Sequence, residues 1–103
     1  MHPLIHDWNA TATPKPPVVM LDDETLRDGL QSPSVKNPTI EEKLRILHLI
    51  DALGIDTADI GLPGAGPHVV KDVERLAREI AGQRLRVAAN CAARTLVADI
   101  RPI

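Results

Sequence analysis

The chain repeats one pattern three times along its length: a predicted strand, then a polar or glycine-rich loop, then an amphipathic helix. The predicted strands cover residues 18–21, 55–60 and 85–89, and the first is a continuous apolar run, which is typical of a strand buried on both faces. Successive strand-loop-helix units predict right-handed crossovers and a parallel sheet. The sequence therefore predicts an α/β fold of three parallel βα units, with the third helix only begun. A closed (β/α)₈ barrel takes about 250 residues, so we expect these units to be the first part of a larger protein.

Two of the predicted helices carry boundary signals. Thr39 and Glu42 have the spacing of a capping box, and Gly54 follows where a helix commonly ends in a left-handed residue. Pro67 suits the first turn of the second helix, and Gly82 suits its end. In both helices apolar residues recur at helical spacing: Ile40, Leu44, Leu47 and Ile50 in the first, and Val69, Val73, Leu76 and Ile80 in the second.

The segment before the first apolar run differs from the rest of the chain. Three prolines lie between residues 9 and 17, where they can neither continue a helix nor donate to a strand ladder. We expect residues 1–17 to form an extended lead-in and residues 18–103 to form one partial-barrel domain. Trp8 is the single aromatic residue, so we expect a core of Leu, Ile, Val and Ala.

Composition argues against several classes of protein. A net charge of −2 and one aromatic side chain give no footprint for nucleic acid. No apolar stretch approaches the roughly 20 residues that span a bilayer, and the N-terminus lacks the blocks of a secretory signal, so we expect a cytoplasmic protein without a membrane partner. Cys91 is the single cysteine, and we expect a small buried residue there, not a nucleophile.

Charge is concentrated directly after the first apolar run, where residues 23–31 read Asp-Glu-Thr-Leu-Arg-Asp-Gly-Leu-Gln. In parallel α/β folds, ligands bind beyond the carboxyl ends of the strands. The chemically unusual residues of this chain all follow predicted strands, and we expect them to converge at one mouth: Arg27, Asp28, Asp59, Asn90, Cys91 and Arg94.

Asp28 differs from the other aspartates of this segment. A lone aspartate in a turn most often bonds backbone amides, which is what we expect of Asp22 or Asp23. Asp28 instead lies between Arg27 and Gly29, and the glycine lets other groups approach the backbone closely. Carboxylate oxygens suit hard cations such as Mg²⁺ or Mn²⁺, and a guanidinium suits a carboxylate or a developing enolate oxygen. The pair indicates metal-assisted chemistry on an oxo acid.

Other candidate ligands have simpler interpretations. We interpret His2 and His6 as solvated residues of the lead-in, and His48 and His68 as helix-surface residues. The glycine-rich residues 61–66 precede a helix but lack both the Lys-Ser/Thr of a P-loop and the third glycine of a dinucleotide fingerprint. We interpret them as a substrate-lining loop, with a plain structural turn as the alternative.

These residues carry a resemblance to a known family. Residues 23–31 resemble the first-strand signature of the family that contains 2-isopropylmalate synthase, homocitrate synthase, citramalate synthase and hydroxymethylglutaryl-CoA lyase. The Leu-Arg-Asp-Gly-x-Gln element is the most specific part of that signature. Residues 58–63 and 91–94 are similar to the ends of the family's second and third strands.

The resemblance implies a metal-dependent TIM-barrel enzyme. It assigns Arg27 to enolate stabilisation or polarisation of the oxo acid, Asp28 to a divalent metal (Mg²⁺, Mn²⁺ or Zn²⁺), and Gln31 to a place close to substrate. Asp59 and Arg94 would bind substrate. The chain departs from the family in two ways, since Asp59 stands where the family usually has Glu and no His-x-His pair is present to complete the metal site.

Three functions are compatible with this pattern. The leading hypothesis is the N-terminal part of a synthase of the 2-isopropylmalate or homocitrate type, which joins acetyl-CoA to a 2-oxo acid and is a homo-oligomer at full length. The alternatives are a lyase that runs the reverse cleavage of a hydroxyacyl-CoA, and a non-catalytic partial barrel that pairs with another chain. In each case we expect the 103-residue chain alone to be inactive and either marginally stable or self-associating.

Overall fold

A computed structural model describes residues 2–9 and 17–103 of the chain. The lead-in predicted over residues 1–17 therefore falls partly outside the described residues. The elements follow one another as strand β1 (Asp22–Asp23), helix α1 (Ile40–Ala52), strand β2 (Thr57–Asp59), helix α2 (Pro67–Gly82), strand β3 (Ala88–Asn90) and helix α3 (Val97–Ile100). Two short 3₁₀ turns, Gly29–Gln31 and Pro63–Ala65, follow β1 and β2.

The three strands form one parallel sheet in the order β1-β2-β3. Asp22 lies opposite Thr57, and Thr57 lies opposite Ala88, so the three strands are in register at one level of the sheet. Each pair of neighbouring strands is joined by a helix, as parallel pairing requires. The prediction of an α/β fold corresponding to the first βα units of a barrel is confirmed.

The first strand differs from its prediction in both position and burial. Residues 18–21 lie outside β1, and their side chains are exposed, with Val18 98% exposed. Pairing starts at Leu21, whose carbonyl oxygen accepts hydrogen bonds from the backbone N–H groups of Asp56 and Thr57, each at 3.1 Å. The physical reason is register: β2 begins only at Thr57, so no backbone of β2 lies opposite residues 18–20. Strands β2 and β3 are likewise shorter than predicted.

Helix α1 begins and ends at the predicted signals. The Thr39 hydroxyl accepts from the Glu42 backbone N–H at 3.2 Å, and the Glu42 carboxylate accepts from the Thr39 backbone N–H at 3.4 Å, which completes the capping box. After the helix, Gly54 adopts φ +78°, and its N–H donates to the Asp51 carbonyl at 3.0 Å. A residue without a Cβ is needed there because other side chains are strained in this conformation.

Helix α2 also begins and ends as predicted. Pro67 is its first residue and Gly82 its last. The left-handed residue that follows is Arg84, at φ +51°. None of the helices in the described ranges is long and apolar enough to cross a membrane.

The core lies between the sheet and the two long helices. Its buried residues are aliphatic, as predicted: Leu26, Leu47, Ile50, Ala58, Ile60, Val73, Leu76 and Val87. Two polar contacts also join the helices. The buried Lys43 of α1 places its Nζ 2.7 Å from a carboxylate oxygen of Asp72 on α2, and Nε2 of His48 on α1 lies 2.8 Å from a carboxylate oxygen of Glu79 on α2. The two helices are thus joined by apolar packing and by these polar contacts.

Candidate functional site

The charged segment after β1 is a closed, hydrogen-bonded turn. The Asp23 carboxylate accepts from the Thr25 backbone N–H at 2.8 Å, which confirms the backbone-bonding role predicted for one of the first two aspartates. The carbonyl oxygen of Glu24 accepts from the N–H groups of Arg27 and Gly29 at 3.2 and 3.0 Å. Leu26, only 3% exposed, anchors the turn in the core and leaves its charged neighbours at the surface.

The Arg27 guanidinium is bound by carboxylates from two different elements. Its Nε donates to Oδ2 of Asp59 at 3.0 Å, and its Nη2 donates to Oε2 of Glu24 at 2.8 Å. Its Nη1 lies 3.7 Å from Oδ1 of Asp28. The hydrogen bond to Asp59 is the largest cause of a raised pKa for Arg27; desolvation opposes it, and the negative charges of Glu24, Asp59 and Asp28 add smaller contributions in the same direction as the hydrogen bond.

Asp59 is the buried member of this group. Its side chain is 5% exposed, and its Oδ1 accepts from the Gly61 backbone N–H at 3.2 Å while Oδ2 holds Arg27. Gly61 has φ +153°, and a Cβ there would lie 2.6 Å from Cγ2 of Val73. The glycine lets the end of β2 approach α2 and so fixes Asp59 beside the guanidinium. The shorter carboxylate that replaces the family's Glu thus reaches Arg27 directly.

Asp22 has a different role from the backbone-bonding one that we considered for it. Its Oδ1 accepts from the Thr57 hydroxyl at 2.6 Å and from the Asn90 side-chain amide at 2.9 Å. These hydrogen bonds, that from Thr57 first, lower the pKa of Asp22. The three side chains form a polar layer across all three strands, next to the Arg27 group.

The pKa of Glu24 is raised instead. Partial burial is the largest cause, followed by a side-chain hydrogen bond with Asp22 and by the negative charge of Asp59, whereas Arg27 acts in the opposite direction. Two neighbouring carboxyl groups, Asp22 and Glu24, therefore have pKa values shifted apart by their surroundings.

Asp28 presents an accessible carboxylate. Its side chain is 69% exposed, and the 3.7 Å approach of Arg27 is its closest ionic contact. Oxygen ligands of this kind fit a hard divalent cation. Within residues 2–9 and 17–103, no group of three or more His, Cys, Asp or Glu side chains is placed to hold a metal ion. Asp28 therefore fits as one ligand of a metal and does not constitute a site by itself.

Gln31 lines a cavity of about 230 Å³. Arg27, His68 and both members of the Lys43–Asp72 ion pair line the same cavity. Gln31 therefore shares this cavity with Arg27, and its place close to substrate stays a prediction.

Arg94 is held away from this group. Its Nε and Nη2 donate to the two carboxylate oxygens of Asp99 at 2.8 and 3.0 Å, and its backbone N–H donates to the same side chain. This bidentate pair lowers the pKa of the buried Asp99. A Cβ on Gly64 would lie 2.6 Å from the Asp99 carboxylate, so the pair also sits directly against the second loop. Substrate binding by Arg94 stays a prediction, since in this structure the guanidinium binds Asp99.

The structure gives three further candidates, Cys91, His6 and His48, their own surroundings. Cys91 is half-buried, and its pKa is raised by burial and by the negative charge of Asp59, which disfavours a nucleophilic thiolate. His6 packs edge-on against Trp8 with ring centroids 4.5 Å apart. His48 lies on the surface of α1 and bonds Glu79 of α2 at 2.8 Å.

Sequence reasoning missed the side-chain partners that organise the site. Glu24 belongs to the charged motif, and its spacing of three residues from Arg27 is a signal for the ion pair that the two side chains form. The Asp22, Thr57 and Asn90 layer follows from strand register, which the sequence alone did not define. Asp99 gave no signal beyond being a charge within a short predicted helix.

Comparisons with known proteins agree with this arrangement. The family model described as HMGL-like matches residues 18–101. The chain is similar to a putative (R)-citramalate synthase CimA from Methanopyrus kandleri, with 46% identity over 75 residues that cover 73% of this chain and 14% of that protein. It is similar to the homocitrate synthase AksA of the same organism, with 44% identity over 86 residues, or 82% of this chain and 20% of that protein.

A third relative is the 2-isopropylmalate synthase of Xylella fastidiosa strain M23, with 35% identity over 92 residues, or 89% of this chain and 17% of that protein. The chain thus spans a fifth or less of the length of these relatives. Because the HMGL-like model covers most of the chain and the match includes the charged turn, both loops and all three strands, this chain belongs to the HMGL-like family.

Proposed function

We propose that this chain forms the first three βα units of a condensing synthase that joins acetyl-CoA to a 2-oxo acid, of the 2-isopropylmalate or homocitrate synthase type. Membership of the HMGL-like family supports this proposal, as do three relatives whose names are all those of synthases. The same proposal includes a role in amino-acid biosynthesis, leucine biosynthesis among the possibilities, in the cytoplasm and as part of a homo-oligomer.

The observation that carries the proposal is the position of Arg27. Its guanidinium lies at the carboxyl ends of β1 and β2, where it is bound by Glu24 and Asp59 and stays charged. In a condensation, the methyl carbon of acetyl-CoA loses a proton to a base and bonds to the keto carbon of the oxo acid, whose oxygen gains negative charge and then takes up a proton. Hydrolysis of the product's thioester by water then releases CoA as the free thiol. A fixed guanidinium that donates to this oxygen stabilises the transition state more than the ground state.

The residues around Arg27 have supporting roles in this proposal. Asp28 would be one ligand of a divalent metal, which when bound would supply a Lewis acid for the oxo-acid oxygens. Asp59 holds Arg27 and limits its movement, because the Asp59 carboxylate is itself fixed by the Gly61 N–H. Gln31, which lines the adjacent cavity, would contact a bound substrate.

A chimaera tests the proposal. Residues 18–101 would replace the matching segment of the homocitrate synthase AksA from Methanopyrus kandleri, and release of CoA thiol would be followed with acetyl-CoA and a panel of 2-oxo acids that have short, branched and acidic side chains. We expect thiol release that depends on both substrates and is lost in the Arg27→Lys chimaera. Cleavage of a hydroxyacyl-CoA without any condensation would contradict the proposal, and so would a folded chimaera without activity.

A further inference from the structure

We propose that Glu24 is a positioning residue that, together with Asp59, fixes the rotation of the Arg27 guanidinium so that its outer edge faces the mouth beside Asp28. The motif resemblance gave Glu24 no role, and the proposed function needs only a charged Arg27 at this place. In this proposal Glu24 and Asp59 together set the direction in which the guanidinium points.

The two carboxylates bind different nitrogens of the guanidinium. Asp59, on β2, binds Nε at 3.0 Å, and Glu24, in the turn after β1, binds Nη2 at 2.8 Å. Conjugation keeps the guanidinium planar, so a hydrogen bond at Nε alone leaves the whole plane free to pivot about the direction of that hydrogen bond. A second hydrogen bond at Nη2 fixes the plane because the planar fork must satisfy both acceptors at once, and it also slows the exchange of the two Nη groups by rotation about the Nε–Cζ bond.

The outer edge of the guanidinium consists of the Arg27 N–H groups that neither Asp59 nor Glu24 binds. Nη1 has no hydrogen bond within the described residues and lies 3.7 Å from the Asp28 carboxylate, and Nη2 has a second hydrogen beyond the one that Glu24 accepts. With the rotation fixed, these hydrogens face the mouth as a pair, which is the geometry that binds two oxygens of a carboxylate or an oxo acid.

The charges around Glu24 explain why its carboxylate depends on the contact with Arg27. Asp22 from β1 and Asp59 from β2 oppose its negative charge, as does partial burial, and Arg27 is the cation that favours it. The carboxylate is therefore held by Arg27 in surroundings that otherwise disfavour it. A surface ion pair such as Glu74–Arg78 on α2, with side chains 58% and 74% exposed, has no such constraint.

The consequence for catalysis rests on the proposed function. If the outer edge of Arg27 donates to the oxo acid, a guanidinium without Glu24 would still be charged and still be bound by Asp59, but its plane could pivot and would be aligned only part of the time. We expect a loss of about tenfold in kcat for Glu24→Ala, because small misplacements of an aligned donor reduce the rate strongly.

The rotation can be measured directly in the 103-residue chain by NMR with ¹⁵N-labelled arginine, after assignment of Arg27 by its loss in Arg27→Lys. We expect two separate Nη signals for Arg27 in the parent, and one averaged signal in Glu24→Ala, with rotation at least about tenfold faster. Glu24→Gln keeps an acceptor without the charge, so its rotation rate should lie between the two. Glu74→Ala is the control and should leave the Arg27 signals unchanged.

Averaged Nη signals in the parent would overturn the inference, as would an unchanged rotation rate in both Glu24 variants. The Glu24→Gln variant gives the answer if Glu24→Ala does not fold. In the active chimaera, kcat should fall in Glu24→Ala and recover in part in Glu24→Gln, with the KM for acetyl-CoA unchanged. A chimaera that is inactive with Glu24 intact would contradict the proposed function and leave the rotation result standing, so the two failures are distinguishable.

Discussion

The side-chain amide of Asn90 donates to the carboxylate of Asp22 at 2.9 Å, across 68 positions of sequence. The same oxygen of Asp22 accepts from the Thr57 hydroxyl, so one carboxylate joins the side chains of all three strands. After the hydrogen bonds from Thr57 and Asn90, the positive charge of Arg27 also contributes to the lowered pKa of Asp22, so the layer lies close to the guanidinium. A polar network within the sheet therefore adjoins Arg27 and its carboxylates.

Replacement of Asp28 tests its assignment as a metal ligand. Asp28→Asn keeps the size of the side chain but removes the negative charge that balances a cation, so we expect the affinity for Mg²⁺ or Mn²⁺ to fall at least about tenfold. Calorimetric titration of the AksA chimaera measures this. Glu41→Gln, which removes an exposed carboxylate from α1, is the control. Equal affinity in parent and Asp28→Asn would show that Asp28 is a turn residue and not a ligand.

Arg27 should be separable from the metal. Arg27→Lys keeps a positive charge but loses the planar fork that Glu24 and Asp59 bind, so we expect kcat to fall by about 10²-fold with metal affinity nearly unchanged. Steady-state kinetics at saturating metal, combined with the titration above, measures both effects. The exposed Arg45→Lys on α1 serves as the control and should retain the parent kcat. Full activity in Arg27→Lys would remove Arg27 from the mechanism.

The close approach at Gly61 predicts a large effect on stability. Gly61→Ala would place a Cβ 2.6 Å from the Val73 side chain at a φ that side chains rarely adopt, so we expect a loss of about 2–4 kcal/mol in the free energy of unfolding. Gly82→Ala is the matched control, because nothing lies within 4 Å and an alanine at the end of α2 should be neutral or stabilise by up to about 1 kcal/mol. Urea denaturation compares the two, and similar midpoints would mean that β2 and α2 do not pack as described.

Loss of the Lys43–Asp72 ion pair should lower the free energy of unfolding, and a second substitution should restore most of it. Lys43→Met leaves the partly buried Asp72 without its partner, and we expect a loss of about 1–3 kcal/mol after allowance for partial exposure. The double variant Lys43→Met/Asp72→Leu should recover most of this loss because it leaves no unpaired charge. Denaturant unfolding of the four proteins of this cycle gives the coupling free energy. A double variant no more stable than the single one would contradict the account.

Acid should destabilise the fold. The pKa values of Asp22, Glu79 and Asp99 are lowered by hydrogen bonds, those from Thr57, His48 and Arg94 respectively being the largest causes. A carboxyl group whose pKa is lowered in the folded state stabilises the fold at pH values above its ordinary pKa, which is 3.8 for Asp. This contribution is lost as the pH falls through the folded-state pKa.

The raised pKa of Glu24 acts in the opposite direction, but the three lowered groups outnumber it. We therefore expect the urea concentration at the unfolding midpoint to decrease when the pH is lowered below about 4, and to decrease less steeply in Asp99→Asn. A midpoint that stays constant from pH 7 to pH 3 would contradict this prediction.

The helices could be predicted from the sequence because their boundaries depend on local chemistry. Thr39, Glu42 and Pro67 act on backbone groups within a few residues, and all three are where the signals placed them. The bounds of β1 could not be predicted in this way. A strand exists only where another backbone lies opposite, and the late start of β2 leaves residues 18–20 unpaired, although their sequence is typical of a buried strand.

The site, too, could be predicted only in part from the sequence. The meeting of Arg27 with Asp59 follows from the rule that the carboxyl ends of parallel strands carry neighbouring loops, and it was expected. The pairing of Arg94 with Asp99 was not expected, because it depends on the rotamers of two side chains five positions apart. Topology brings residues to one edge of the sheet, but only side-chain geometry decides which of them bind one another.

The parallel order of the sheet also constrains how the chain folds. Asp22 must pair with Thr57, 35 positions later, and Thr57 must in turn pair with Ala88 of β3. No tight hairpin can start this sheet, since each pairing requires closure of a long loop whose entropic cost precedes any hydrogen bond. We therefore expect a folding nucleus that contains α1 together with both strands that it joins, and refolding slower than that of a helical bundle of similar length.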